Sequence, residues 1–182
     1  AEQKMQQSMQ RLSMLASTGK FKEAIALAEA QGKEATTDAS KQQWMEIKYS
    51  LKLSAGMLDD DSLAFFRNRI KTLKSDPLAM ARFGYSLYGQ AQQGVNVKPL
   101  LADVMAAVEE VSKDADPQMK PLMFNTLAML ASESGDLKKA IAAQQAAIDA
   151  TDDERQKKRL IVMLDELKQK AAGGSAGNVT EK

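Results

Sequence analysis

The sequence predicts an all-α protein, an array of about four helix hairpins closed by a C-terminal capping helix. Three observations carry this. First, a phrase occurs twice: Gly19-Lys20-Phe21-Lys22-Glu23-Ala24-Ile25 returns as Gly135-Asp136-Leu137-Lys138-Lys139-Ala140-Ile141. In each copy a glycine is placed to end one helix in a left-handed conformation that costs other residues energy. An apolar residue then starts the next helix, and an alanine lets it lie close against the first. Second, 44% of the 182 residues are apolar but only 5% are aromatic, with eleven Met. Such a side-chain stock suits closely packed helices better than sheets. Third, apolar residues recur at helical spacing along nearly the whole chain, punctuated by capping residues.

Nine helices follow in order. The first is predicted over about 2–18, with Met5, Met9, Leu12 and Ala16 on one stripe and Gly19 as its stop. The second, about 20–31, carries Phe21, Ala24, Ile25 and Ala28 and is expected to end at Gly32. A polar turn from Glu34 to Asp38 leads into a third with Trp44, Ile47, Leu51 and Ala55, weakened at Gly56. Asp59-Asp60-Asp61-Ser62 supplies capping oxygens and negative charge to a fourth, with Leu63, Phe66, Ile70 and Leu73. Asp76-Pro77 and Asp116-Pro117 each read as an N-cap followed by Pro at the first helical position. Between them lie helices near 77–93 and 98–113, the first carrying Leu78, Tyr85 and Tyr88, the second Leu101, Val104, Val108 and Val111. Gly84 and Gly89 lower the intrinsic stability of the former, so tight packing or a kink is expected there. Phe124, Leu127, Ala128 and Ala131 precede Gly135; Ala140 and Ala147 follow it. Thr151-Asp152-Asp153-Glu154 reads as a capping box. The last helix sets Leu160, Met163, Leu164 and Leu167 on one face, with Lys157, Lys158, Glu166 and Lys170 on the other, as the end of a repeat stack requires. The helical domain is thus expected over 1–172, with a flexible tail over 173–182.

These residues resemble the tetratricopeptide repeat. Phe124, Leu127, Ala128, Gly135, Ala140 and Ala147 match the family's pattern of bulky and small residues, and Gly19 and Ala24 match in the first hairpin. Leu12, Ala28 and Gln144 depart from it, Leu12 where the family has a small residue and the other two where it usually has an aromatic. A narrower likeness runs from Phe124 through Gly135 to Ala147, with Leu164-Asp165-Glu166-Leu167-Lys168 in the last helix. This stretch is similar to the helical extension that follows the thioredoxin-fold domain in some bacterial redoxin-family proteins. The resemblance implies an accessory C-terminal domain whose redox cysteines lie on a preceding thioredoxin-fold domain, and an exported or periplasmic location. The other reading is a free-standing adaptor that holds a peptide or protein partner in the groove of its repeats.

The chemistry of the side chains points the same way. There is no Cys and no His, which removes from this chain thiol chemistry, disulfides, imidazole general-base catalysis and nearly all zinc sites. With 25 basic and 24 acidic side chains, the chain lacks the electrostatic footprint of a nucleic-acid binder or a polybasic membrane anchor. No apolar run reaches the length of a membrane span. Ser17-Thr18-Gly19-Lys20 lacks the leading glycine and trailing hydroxyl of a phosphate loop. Asp59–Asp61 lacks the alternating ligands of a calcium loop. The Met content fits an adaptable core better than a peptide groove. Trp44, Tyr85 and Tyr88 fit buried aromatics with satisfied polar tips better than anchors. The cluster Arg155, Lys157, Lys158 and Arg159 follows three acids and pairs locally. Asn178-Val179-Thr180 matches a glycan acceptor. The carboxylate clamp of chaperone-binding repeats is not expected, since Met9 and Ser13, and Asn125 and Met129, stand where its Lys and Asn would. The expected function is therefore protein interaction, with no catalytic residue, cofactor or metal, and with Met9, Trp44, Tyr85 and Asn125 as the candidate partner-binding surface.

Overall fold

The computed structural model describes residues 2–176. Among them are nine α-helices and no strand: α1 (Glu2–Ser17), α2 (Phe21–Glu34), α3 (Asp38–Ser54), α4 (Asp60–Leu73), α5 (Pro77–Gln92), α6 (Lys98–Asp114), α7 (Lys120–Ser134), α8 (Leu137–Asp149) and α9 (Glu154–Ala176). The glycan-acceptor triplet and the tail from 177 onward lie outside the described residues. Positions 173–176, expected to begin the tail, form the last turn of α9.

Four of the interhelical turns share one construction. Gly19, Gly56, Gly94 and Gly135 have φ of 73°, 67°, 83° and 87°. In each, the amide after the glycine donates to the carbonyl four residues before it: Lys20 to Leu15 at 2.8 Å, Met57 to Lys52 at 2.8 Å, Val95 to Gln90 at 3.0 Å and Asp136 to Ala131 at 3.0 Å. This closure satisfies carbonyls that the helix end would leave bare, and it requires the left-handed residue. The turns recur at roughly 40 residues, the period of a two-helix repeat. The hairpin reading thus extends to two turns, at Gly56 and Gly94, whose flanking sequence carries no copy of the Gly19 phrase.

The chain divides into two compact units, Ala1–Phe65 and Phe66–Lys182, with the boundary inside α4. In the first unit α2 packs on both α1 and α3. Leu12, Leu15, Ala24, Ala28 and Trp44 form its core, flanked by Met5, Leu27, Ile47 and Leu51. Gly32 does not end α2, which continues to Glu34. A Cβ at Gly32 would stand 3.3 Å from the Trp44 Cβ, so the glycine serves the approach of α3 and not a stop. Across the Gly56 turn the Tyr49 and Phe65 rings stack with centroids 4.4 Å apart. The Lys52 ammonium reaches the Asp59 carboxylate at 2.5 Å. Asp59 also accepts from the Ser62 amide at 3.0 Å and from the Ser62 hydroxyl, so it caps α4. The Lys52 contact, followed by those from Ser62, holds the Asp59 carboxyl well below the usual range.

In the second unit α5 packs on α6 and α7, α6 on α7, α7 on α8, and α8 on α9. This is the neighbour-to-neighbour order of stacked hairpins. Met80, Leu87, Leu100, Val104, Val108, Met123 and Leu130 are fully buried between them. At Gly84 the expected tight packing is present: a Cβ there would come within 2.7 Å of the Thr126 Cγ2 and 3.2 Å of the Leu130 Cδ1. Gly89 has open space instead. Ala140 and Ala147 are fully buried and Leu164 nearly so, whereas Leu167, expected in the core, is only half-buried.

Two helix starts differ from their predicted form. Asp76 accepts from the Ala79 amide at 3.0 Å with Pro77 at the first helical position, as expected. Asp116 instead opens a separate turn, accepting from the Gln118 amide at 2.9 Å. Helix α7 begins only at Lys120, with Pro121 in its first turn. Thr151 is no capping residue either: its hydroxyl is buried without a hydrogen-bond partner. The cap of α9 is Asp153, which accepts from the Gln156 amide at 2.7 Å. In both places the helix starts a few residues later than expected, after Met119 and after Asp153. The capping box occurs at Thr37 and Ser40, where each side chain meets the other's backbone amide.

Candidate groove between α5, α7 and α9

The four residues expected to form a binding surface fall on both units. In the first, Met9 is exposed on α1, but Trp44 is only 4% exposed, inside the core with Leu12 and Ala28. The indole packs against side chains of α1 and α2. In the second, Tyr85 is 55% exposed on α5, with the Tyr88 ring 6.5 Å from it and tilted. Asn125, on α7, is half-buried. Its Nδ2 donates to the Met129 Sδ at 3.5 Å, and its Oδ1 is buried with no donor facing it.

Tyr88 and Met129 open onto a groove of about 170 Å³ lined also by Ala128, Ser132, Gln144, Met163, Glu166, Leu167 and Lys170. The wall residues come from the first helices of successive hairpins, α5 and α7, and from α9. Helical spacing places Ala128, Met129 and Ser132 on one side of α7, and Met163, Glu166, Leu167 and Lys170 on one side of α9. Gln144 reaches the groove from α8. It is fully buried, and its Nε2 donates to the Leu160 carbonyl at 3.0 Å. Its Oε1 is buried and has no donor. Polar atoms in this state are rare in folded proteins, and each lost partner costs free energy.

The rim is polar and mixed in charge. Lys170 Nζ donates to Ser132 Oγ at 3.1 Å. Glu133, which is not a lining residue, accepts from Gln92 Nε2 at 2.8 Å. Burial pushes the Tyr88 hydroxyl pKa up, and the charges of Glu133, Tyr85 and Glu166 push it the same way. A second groove, between α4 and α6, is bridged by Arg67 to Asp103 at 2.9 Å and Lys74 to Glu110 at 2.6 Å. Four of its charged groups are thus paired with one another, and Lys71 also lines it. Among the described residues no three His, Cys, Asp or Glu side chains converge as metal ligands would, and no helix is long and apolar enough to cross a membrane.

Sequence reasoning found Tyr85 and Asn125 at the edge of this region but missed Gln144, Met163, Glu166, Leu167 and Lys170. Gln144 stood out only as a departure from the repeat pattern. Met163 and Leu167 read as the apolar face of α9 and Glu166 and Lys170 as its charged face, whereas the groove takes residues from both. Comparison of the chain with protein-family models, with curated proteins and with solved structures finds no match.

Proposed function

We propose that this chain is a non-catalytic protein-interaction domain, the accessory C-terminal helical part of a thioredoxin-like protein. The observation that carries the interaction reading is the α5/α7/α9 groove. It has thioether and aliphatic walls, two tyrosines at one edge and a buried acceptor awaiting a donor, the mixture that interfaces use for fit and orientation. The redoxin assignment rests on the likeness of the Phe124–Ala147 segment and α9 to the extensions of such proteins. A chain without Cys or His then supplies binding, and the linked thioredoxin-fold domain supplies redox chemistry in an exported or periplasmic setting. Linkage raises the effective concentration of a held substrate at the redox centre.

The test begins with the reading frame ahead of Ala1, which is expected to encode a thioredoxin-like segment with Cys-x-x-Cys. The full-length protein is then compared with one cut before Ala1, using protein disulfides and small disulfides as substrates. Loss confined to protein substrates supports presentation by the helical part. Equal activity on both, with no binding between the separated halves, removes the redoxin reading and leaves the free-standing adaptor.

A further inference from the structure

Resting on the interaction reading, the groove itself indicates what it holds. Its unmet demand is for a donor: Gln144 Oε1, in the lining, is buried without one. The Gln144 amide nitrogen is already committed to Leu160, so the oxygen, on the other side of the planar amide, is the atom left over. A carboxylate ligand would set acceptor against acceptor here. The charge at the Tyr88 end is negative: Glu166 lines the groove with Tyr88, and the Glu133 and Glu166 charges both raise the Tyr88 pKa. The Tyr85 and Tyr88 rings, 6.5 Å apart, offer π-faces of the kind that attract cations. The groove's lining also includes one cation, Lys170, which is tied to Ser132. The walls between are Met129, Met163 and Leu167, and thioether chains re-pack at little cost to uncover what lies beneath them.

We propose that this groove takes a basic side chain of a partner protein, arginine by preference, with its aliphatic stem against Met129, Met163 and Leu167 and its guanidinium shared between Glu166, the Gln144 oxygen and the Tyr88 ring. Arginine suits all three kinds of group because its planar fork donates in several directions while its face stacks on an aromatic ring. Lys170 works against such a ligand and sets its orientation, with the cation held toward Tyr88.

The probes are three amidated, acetylated peptides, Ala-Leu-X-Leu-Ala, in which X is arginine, norleucine or glutamate. They are titrated into the chain while the methyl resonances of Met129 and Met163 are followed by NMR. The arginine peptide should shift both methyls to saturation, and the other two should not. Glu166→Gln, at an exposed position and so harmless to folding, should weaken the arginine peptide about tenfold, the scale of one charge-assisted hydrogen bond. Lys170→Gln should tighten it. Equal binding of the norleucine peptide, or a preference for glutamate that Lys170→Gln abolishes, overturns the proposal. If the arginine peptide fails while the chain still binds its thioredoxin-fold partner, this inference falls and the interaction reading stands.

Discussion

The first and last hairpins use the same turn and then part company. Around Gly19 and Gly135 the backbone closes with matching hydrogen bonds, and the next helix begins in the same way, with the Ala24 amide on Lys20 at 3.1 Å and the Ala140 amide on Asp136 at 2.9 Å. Ala24 and Ala140 are both fully buried. Four residues on, the pair differs. Ala28 is an apolar core residue in α2, whereas Gln144 is a buried amide in α8 bonded to α9. The cap differs too: Asp136 accepts from the Lys139 amide at 2.9 Å, and Lys20 makes no side-chain cap. A turn needs only its own few residues, while the face that follows is shaped by whichever helix comes next. For α2 that is α3 with Trp44; for α8 it is α9.

The comparison breaks most easily at the alanines. Ala24→Leu and Ala140→Leu should each lower stability by about 1–3 kcal/mol, since the larger side chain overfills a close crossing. Urea unfolding midpoints measure this, and a neutral result at either site would mean that its helices do not cross there. Gln144→Ala should cost about 2 kcal/mol through the lost Leu160 bond and the space left behind. Ala28→Ser, at the matching position, should cost less, because no second helix depends on a bond there. Gly19→Ala and Gly135→Ala should each cost about 1–2 kcal/mol. An added Cβ meets nothing within 4 Å at either position, so backbone strain alone acts and the two losses should be equal. Unequal losses would show that the turns are less alike than their hydrogen bonds. The smallest effects sharpen the contrast in caps. Asp136→Ala should cost about 1 kcal/mol, and Lys20→Asp should gain roughly half as much, by placing an acceptor where α2 has none. A thermal scan at constant salt resolves both.

The candidate groove was less legible than the helices. Helical periodicity, Asp76-Pro77 and the glycine phrases act within one or two turns of chain, so they can be read in order along it. Trp44 fits a buried aromatic by type, although its helix put it on the candidate surface, and it packs in the core with Ala24 and Ala28. Glu166 and Lys170 looked like a solvated face because their partners across the groove are 30 or more residues away in sequence.

The sequence by itself determined the helical class, the nine segments and the turns at Gly19 and Gly135, because each depends on local sterics, capping and spacing. Tertiary structure alone decided that Gly32 serves a close approach and that, of Gly84 and Gly89, it is Gly84 that packs tightly. It also decided that Asp153 rather than Thr151 starts α9, and that α5, α7 and α9 line one groove over a buried glutamine. Those outcomes depend on which atoms of distant segments meet, and contact between distant segments leaves no periodic mark along a single chain.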